Sequence, residues 1–295
     1  MRPPAPKEDR RTLGVMLMAL AVLFFTCIDT SAKWLMVLGL PPLQVVFCRY
    51  FGHFATSLAI FLPQEGPGLF RSADWKIQLL RSLFLLGSTI FNFTALSYLP
   101  ITVNTTIQFA GPIMITLLSI PLLGERVGIH RFLAVVAGFG GVLVVMQPWG
   151  ASFHPAMLLV LAALVCSSLY FILTRKLAGR ERNATHQIWG SGVAVIALLP
   201  VALPLWHWPE TPTGWITMIV IGIFGAFGHI AATRAHSLAD ASLLAPIVYL
   251  QLLFASLAGI LVFATWPTEW TLLGATIIIA SGLYIWHRER LRSST

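Results

Sequence analysis

ALSYLPITVNTTIQFAGPI, residues 95–113, recurs in outline 140 residues later as AHSLADASLLAPIVYLQLL, residues 235–253. The shift pairs Ala95 with Ala235, Ser97 with Ser237, Thr102 with Ser242 and Phe109 with Tyr249. Fainter echoes lie on either side: AGFGGVL (137–143) beside IASGLY (279–284), and SAKWL (31–35) beside LTRKL (173–177) at a slightly larger shift. Each match is slight. Together they divide the chain into two similar halves, 1–150 and 151–295.

The solvent these halves meet follows from composition. Of 295 residues, 57% are apolar and 10% charged, and the mean hydropathy is +0.81. A soluble domain is about 25% charged. Apolar runs of spanning length, roughly 20 residues, number ten: 12–38, 42–62, 76–98, 101–122, 129–147, 154–176, 184–206, 213–235, 240–263 and 268–287. Turn and breaker residues separate them, as in GLPP (39–42), LPQEGPG (62–68) and WPETPTG (208–214). The expected fold is all-α, a polytopic membrane protein of ten transmembrane helices. Five is odd, so two five-helix halves in one chain cross the bilayer in opposite senses. Inverted repeats around a central cavity are the recurrent build of secondary transporters, with the substrate near the midplane where the halves meet.

The formal net charge is +8, yet its placement argues against nucleic acid. Seventeen of the 19 lysines and arginines flank the spans on one side, that of both termini. The positive-inside rule makes that side cytoplasmic. The exceptions, Lys33 and Arg49, lie inside spans. The first apolar run is too long for a signal-peptide core and has no small-residue cleavage site after it, so it reads as an anchor that is retained. Cys27, Cys48 and Cys166 fall inside apolar runs without metal-ligand spacing and read as packing residues. No metal or cofactor is expected.

Polar side chains within a span are costly and face an interior, a cavity or a partner. Thr26, Asp29, Thr30 and Lys33 share one face of the first span. Asp29 and Lys33 stand in the favourable acid-then-base order at i, i+4. Two readings stand for them: a mutually neutralising pair near the outer rim, or a gate or proton-coupling site at a cavity mouth. Asn92 lies in the third span, with Tyr98 at its end, and Asn104, Gln108 and Phe109 in the fourth. Tyr170 lies in the sixth, His229 in the eighth and Tyr249 in the ninth. These eight are the candidate cavity residues, although Asn92, Gln108 and His229 could equally be interhelical hydrogen-bonding groups. Pro112 and Pro246 lack an N–H and are expected to kink helices four and nine, freeing a carbonyl in each. Ala134, Gly138 and Gly141 read as a close-packing stripe, and tryptophans such as Trp149, Trp208 and Trp266 as an interfacial belt.

AKWL (32–35), PPLQVVFCRY (41–50), QFAGPIMITLLSIPLLGERV (108–127), SLYFILTRKL (168–177) and SLLAPIVYLQLLFASLAGILVF (242–263) together resemble the drug/metabolite transporter superfamily of the ten-helix EamA type. The resemblance covers nearly the whole chain. The second half departs from it where Thr265 and Trp266 follow the ninth span in place of the Glu125–Arg126 that closes the fourth. Among members the chain is similar to bacterial amino-acid and metabolite exporters of the YddG kind. That implies export of amino acids, aromatic or apolar ones among them, or of related small metabolites, by alternating access in the bacterial inner membrane. Protons are a candidate coupling ion.

Organic cations or drugs are the alternative cargo, but a cation wants a deep unpaired acid and the one acid within a span has Lys33 nearby. An intramembrane hydrolase is the rival class. It would need an activated serine beside a histidine base, and WGSGV (189–193) does not complete a nucleophile elbow because position 189 is tryptophan.

Overall fold

A computed structural model describes residues 7–123, 129–177, 179–239 and 241–293. Among these the regular structure is helical, in the order α1 (Lys7–Val37), α2 (Pro42–Glu65), α3 (Trp75–Leu96), α4 (Ile101–Gln108), α5 (Gly111–Leu123), α6 (Ile129–Met146), α7 (Ala156–Leu177), α8 (Asn183–Ala202), α9 (Pro212–Leu238), α10 (Ala241–Val248), α11 (Leu250–Phe263) and α12 (Glu269–Ser293). Nine stretches of the described residues are long and apolar enough to cross a membrane, and α6 adds a shorter apolar helix over Phe132–Met146. The ten expected spans are therefore present. Gly124, Glu125 and Arg126 of the LGER ending lie outside the described residues.

Spans four and nine are each two helices rather than one kinked helix. The first breaks at Phe109–Ala110, between α4 and α5, and the second at Tyr249, between α10 and α11. At the first break the Phe109 N–H reaches back to Thr105 and Thr106, and the Ala110 N–H to Ile107. At the second the Tyr249 N–H bonds Pro246 O at 3.2 Å. The prolines sit asymmetrically. Pro112 is the second residue of α5, where a missing N–H costs little, and Pro246 lies inside α10, before the break. Both are exposed. The equivalent positions are the two aromatic residues, and their rings meet edge-to-face at 5.3 Å between centroids.

The packing partners come in matched sets. The most extensive pairings are α1 with α9, α6 with α12, α3 with α7, α2 with α8 and α9, and α3 with α8. Exchanging the first five spans for the last five turns α1–α9 into α7–α3, α2–α9 into α8–α3 and α5–α7 into α11–α1. The pairs α2–α8 and α6–α12 map onto themselves, and spans four and nine meet each other through α4 and α11. The main contacts of one set of five spans thus recur between the corresponding helices of the other.

In lipid, helices gain most from close approach of small residues. A Cβ at Gly52 of α2 would stand 2.9 Å from Gly222 Cα of α9, so the two backbones touch there. The Gly141 part of the predicted stripe does the same on α12, where a Cβ would meet Gly274 O at 3.0 Å.

Loops close each end. On the face of the N-terminus, Glu181 accepts from Ser72 Oγ and from the Ala73 N–H at 2.8 Å, tying the α2–α3 and α7–α8 connections. Arg182 pairs with Glu65 at 3.2 Å beside them. On the opposite face the Gln44 amide exchanges two bonds with His207, at 2.6 and 2.9 Å. Trp149, Trp208 and Trp266 are exposed on that face, as belt residues are.

Glycine substitutions separate contact from propensity. Gly222→Ala should lower the melting temperature in detergent, because overpacking costs about 1–3 kcal/mol. Gly140, with nothing within 4 Å of an added Cβ, should tolerate alanine or gain by it. Equal shifts at the two positions would exclude a tight α2–α9 contact.

Candidate functional site

The side chains on α3 organise the interior. Asn92 is the central node. Its Nδ2 donates to Asp29 Oδ1 at 3.1 Å, while its Oδ1 accepts from Asn104 Nδ2 at 2.7 Å and Gln108 Nε2 at 3.2 Å. One amide thus joins α1, α3 and α4, with both of its polar ends used. Beside it lies a cavity of about 110 Å³ whose lining includes Phe25, Asp29, Arg49, Ser88, Asn92 and Gln108. All its walls come from α1 to α4.

Asp29 and Lys33 part company, which corrects the expected pair. Asp29 turns to Asn92. Lys33 turns to the C-terminal end of α3, where its ammonium donates to Leu96 O at 3.0 Å and Leu99 O at 2.5 Å. It also lies 5.5 Å from the centroid of the Phe263 ring. Four residues along α1 separate the two groups, and each finds its own partner across the helix gap. Lys33 is a cap on the end of α3, held by carbonyls that no helical N–H reaches.

The remaining candidates divide. Phe109 and Tyr249 meet at the two helix breaks. Tyr98 lies outside the cavity: it is 63% exposed and stacks on His154 at 5.5 Å. Tyr170 is buried near the other end of α3, where its hydroxyl accepts from Arg81 Nη2 at 2.9 Å. His229 belongs to a separate cluster behind Phe25, whose ring meets it edge-on at 5.2 Å. His229 stacks on His53 at 5.3 Å, and His53 Nε2 donates to Gln187 Oε1 at 2.9 Å. Phe25 therefore stands between the cavity and the histidines. The eight residues expected to line one cavity occupy several places, and Asn92 and Gln108 are the ones that line this one.

Arg49, His53, Gln187 and Arg81 were not among the expected site residues. Arg81 was counted with the flanking cations, yet it is 4% exposed and also donates from Nε to Thr174 Oγ1 at 2.7 Å. Arg49 had a legible signal: a cation inside a span, with His53 one turn later on the same face. Ser191 of WGSGV is satisfied locally, donating to Gln187 O at 2.6 Å.

The EamA-like transporter family model matches residues 12–147 and again 154–286. The chain belongs to that family. It is 27% identical over 283 residues to an S-adenosylmethionine uptake transporter of Rickettsia prowazekii (strain Madrid E), covering 96% of this chain and 95% of that one. It is 29% identical over 286 residues to a riboflavin transporter of Vibrio cholerae serotype O1, covering 95% of each. A solved crystal structure at 19% identity superposes with a TM-score of 0.64, covers 95% of this chain and 96% of that one, and supports the fold alone. The chain is therefore an integral membrane protein of a family that moves small metabolites. The relatives named are metabolite transporters rather than amino-acid exporters.

The parting of Asp29 and Lys33 is open to a double-mutant cycle. Lys33→Met leaves two carbonyls without a donor and should cost about 1–3 kcal/mol of stability. Asp29→Asn should be additive with it to within about 0.5 kcal/mol. A larger coupling in detergent unfolding would restore the ion pair.

Proposed function

We propose that this chain is a secondary transporter that exports amino acids or related small metabolites by alternating access. The halves 1–150 and 151–295 act as two inverted units, and both termini face the cytoplasm of a bacterial inner membrane. The observation that carries the reading is the pair of broken helices meeting at Phe109 and Tyr249, next to the polar node on Asn92. Discontinuous helices in corresponding positions of two halves mark the place where transporters bind and switch. Breaks are tolerated at membrane depth where protein or a cavity covers them.

Size favours movement as well. Pockets for drug-sized ligands run to about 300–1,000 Å³, and this cavity is about 110 Å³. A substrate as large as S-adenosylmethionine or riboflavin would enter only as the helices around it separate. Those two relatives carry very different molecules on one fold, so the fold alone does not select the cargo. Amino-acid chemistry rests here on the site and on the exporter-like motifs.

The alternatives fit less well. A cationic drug would meet Arg49 in the same cavity as Asp29. A hydrolase would need Ser191 free, and its hydroxyl is engaged with the backbone.

Counterflow in proteoliposomes tests the reading, with labelled amino acids, S-adenosylmethionine, riboflavin and an organic cation, each with and without a pH gradient. Exchange of amino acids or a related metabolite is expected, and gradient-driven accumulation would bring Asp29 forward as a proton carrier. Gln108→Ala should cut exchange at least tenfold at equal insertion. Absence of exchange for every compound would refute the transporter reading, and wild-type flux in Gln108→Ala would remove that residue from the site.

A further inference from the structure

We propose that Arg49 is a carboxylate-binding residue and that Asp29, across the same cavity, takes a cationic group, so that the transported molecule presents a zwitterionic headgroup. This rests on the transport reading and adds to it the two residues that would select the headgroup.

The argument begins with the cost of a buried arginine. Arg49 is 6% exposed inside a membrane-spanning helix. A charge there is kept only when paired or when it serves a ligand. Its protein partners are few. Nη1 donates to Thr89 Oγ1 across a long 3.5 Å, and the guanidinium carbon lies 4.4 Å from the centroid of the Tyr50 ring. The buried Nε has no partner. A guanidinium carries five N–H donors in a rigid fork, matched to a carboxylate.

The contrast with Arg81 is instructive. Equally buried, it spends its donors on Thr174 Oγ1, Tyr170 Oη and, at 3.5 Å, His186 O, as a structural arginine does. Arg49 has no such set. Competing hydroxyls are already taken: Tyr50 Oη lies 2.7 Å from Thr89 Oγ1 and 3.1 Å from Leu85 O.

Arg49 lines the 110 Å³ cavity, and so does Asp29. Asp29 engages the protein through Oδ1 alone, to Asn92. The cavity therefore holds a cation short of acceptors and an acid short of donors, within range of each other's charge but without a salt bridge between them among the described residues. Well below the roughly 300–1,000 Å³ of pockets for drug-sized ligands, it has room for a headgroup rather than a whole metabolite. An α-amino acid head brings both missing partners at once. An amine alone would leave Arg49 uncompensated, and an acid alone would meet Asp29.

The experiment compares each of the common L-amino acids with its decarboxylated amine and its deaminated acid. Each serves as a competitor of counterflow and as a stabiliser of the detergent-solubilised protein. At least one amino acid should bind, and its amine and acid should bind at least tenfold more weakly. Arg49→Gln should abolish the preference for the amino acid over its amine, while Arg49→Lys keeps part of it. Thermal unfolding of each variant checks folding, and the preference is a ratio that a partial loss of folded protein does not move. Equal binding of amine and amino acid would overturn the proposal, as would an undiminished preference in Arg49→Gln. Failure of every amino acid to compete, while some metabolite without a carboxylate is exchanged, would also overturn it and leave the transport reading standing. Absence of any exchange would count against both.

Discussion

Within the bilayer core no bulk water satisfies a polar group, so each one needs a partner inside the protein or in a cavity. In this bundle several of those partners meet on α3. Asn92 gathers Asp29, Asn104 and Gln108. The carbonyls at its end take the Lys33 ammonium. At its other end Arg81 reaches Thr174 and Tyr170 on α7. One helix thereby fixes where α1, α4 and α7 stand, and the polar interior follows from it. These are directional bonds, and in a membrane they add to close packing rather than to a hydrophobic force between helices.

A transporter working as proposed must also be able to rearrange. The most extensive helix pairings are exchanged for one another when the two sets of five spans are swapped. A second arrangement with the two sets in opposite roles is then close in kind to the first. The broken spans meet at Phe109 and Tyr249, an aromatic contact without a hydrogen bond between the rings. Such a contact can slide or open without leaving a polar group bare. The fixed part and the adjustable part of the interior are thus adjacent in sequence, at Gln108 and Phe109.

Much of the fold was legible in the sequence because it follows from bulk quantities. Apolar run length reports helix number. The 140-residue repeat located the equivalence of Phe109 and Tyr249 before any coordinates. Pro112 and Pro246 marked the two interrupted spans, and the breaks themselves fall beside them, at Phe109–Ala110 and at Tyr249. The site was less legible. Asp29 and Lys33 look like a pair along one helix, and only the position of α3 shows that each is drawn across to it. Tyr98 and His154 meet through a fold that brings the α3–α4 connection beside the start of α7. Arg49 stood out as a cation without a place in the charge pattern, and its role depends on the cavity that three other helices build around it.

The central claim is that the cavity beside Asn92 opens to each side of the membrane in turn. Ser88 lines that cavity and is small enough to replace. With Cys27, Cys48 and Cys166 changed to alanine, Ser88→Cys can be challenged by a membrane-impermeant maleimide added to one side or the other of oriented vesicles. Labelling from both sides, with a transported compound slowing both, is the result this account predicts. Labelling from one side only, whatever the compound present, would contradict it.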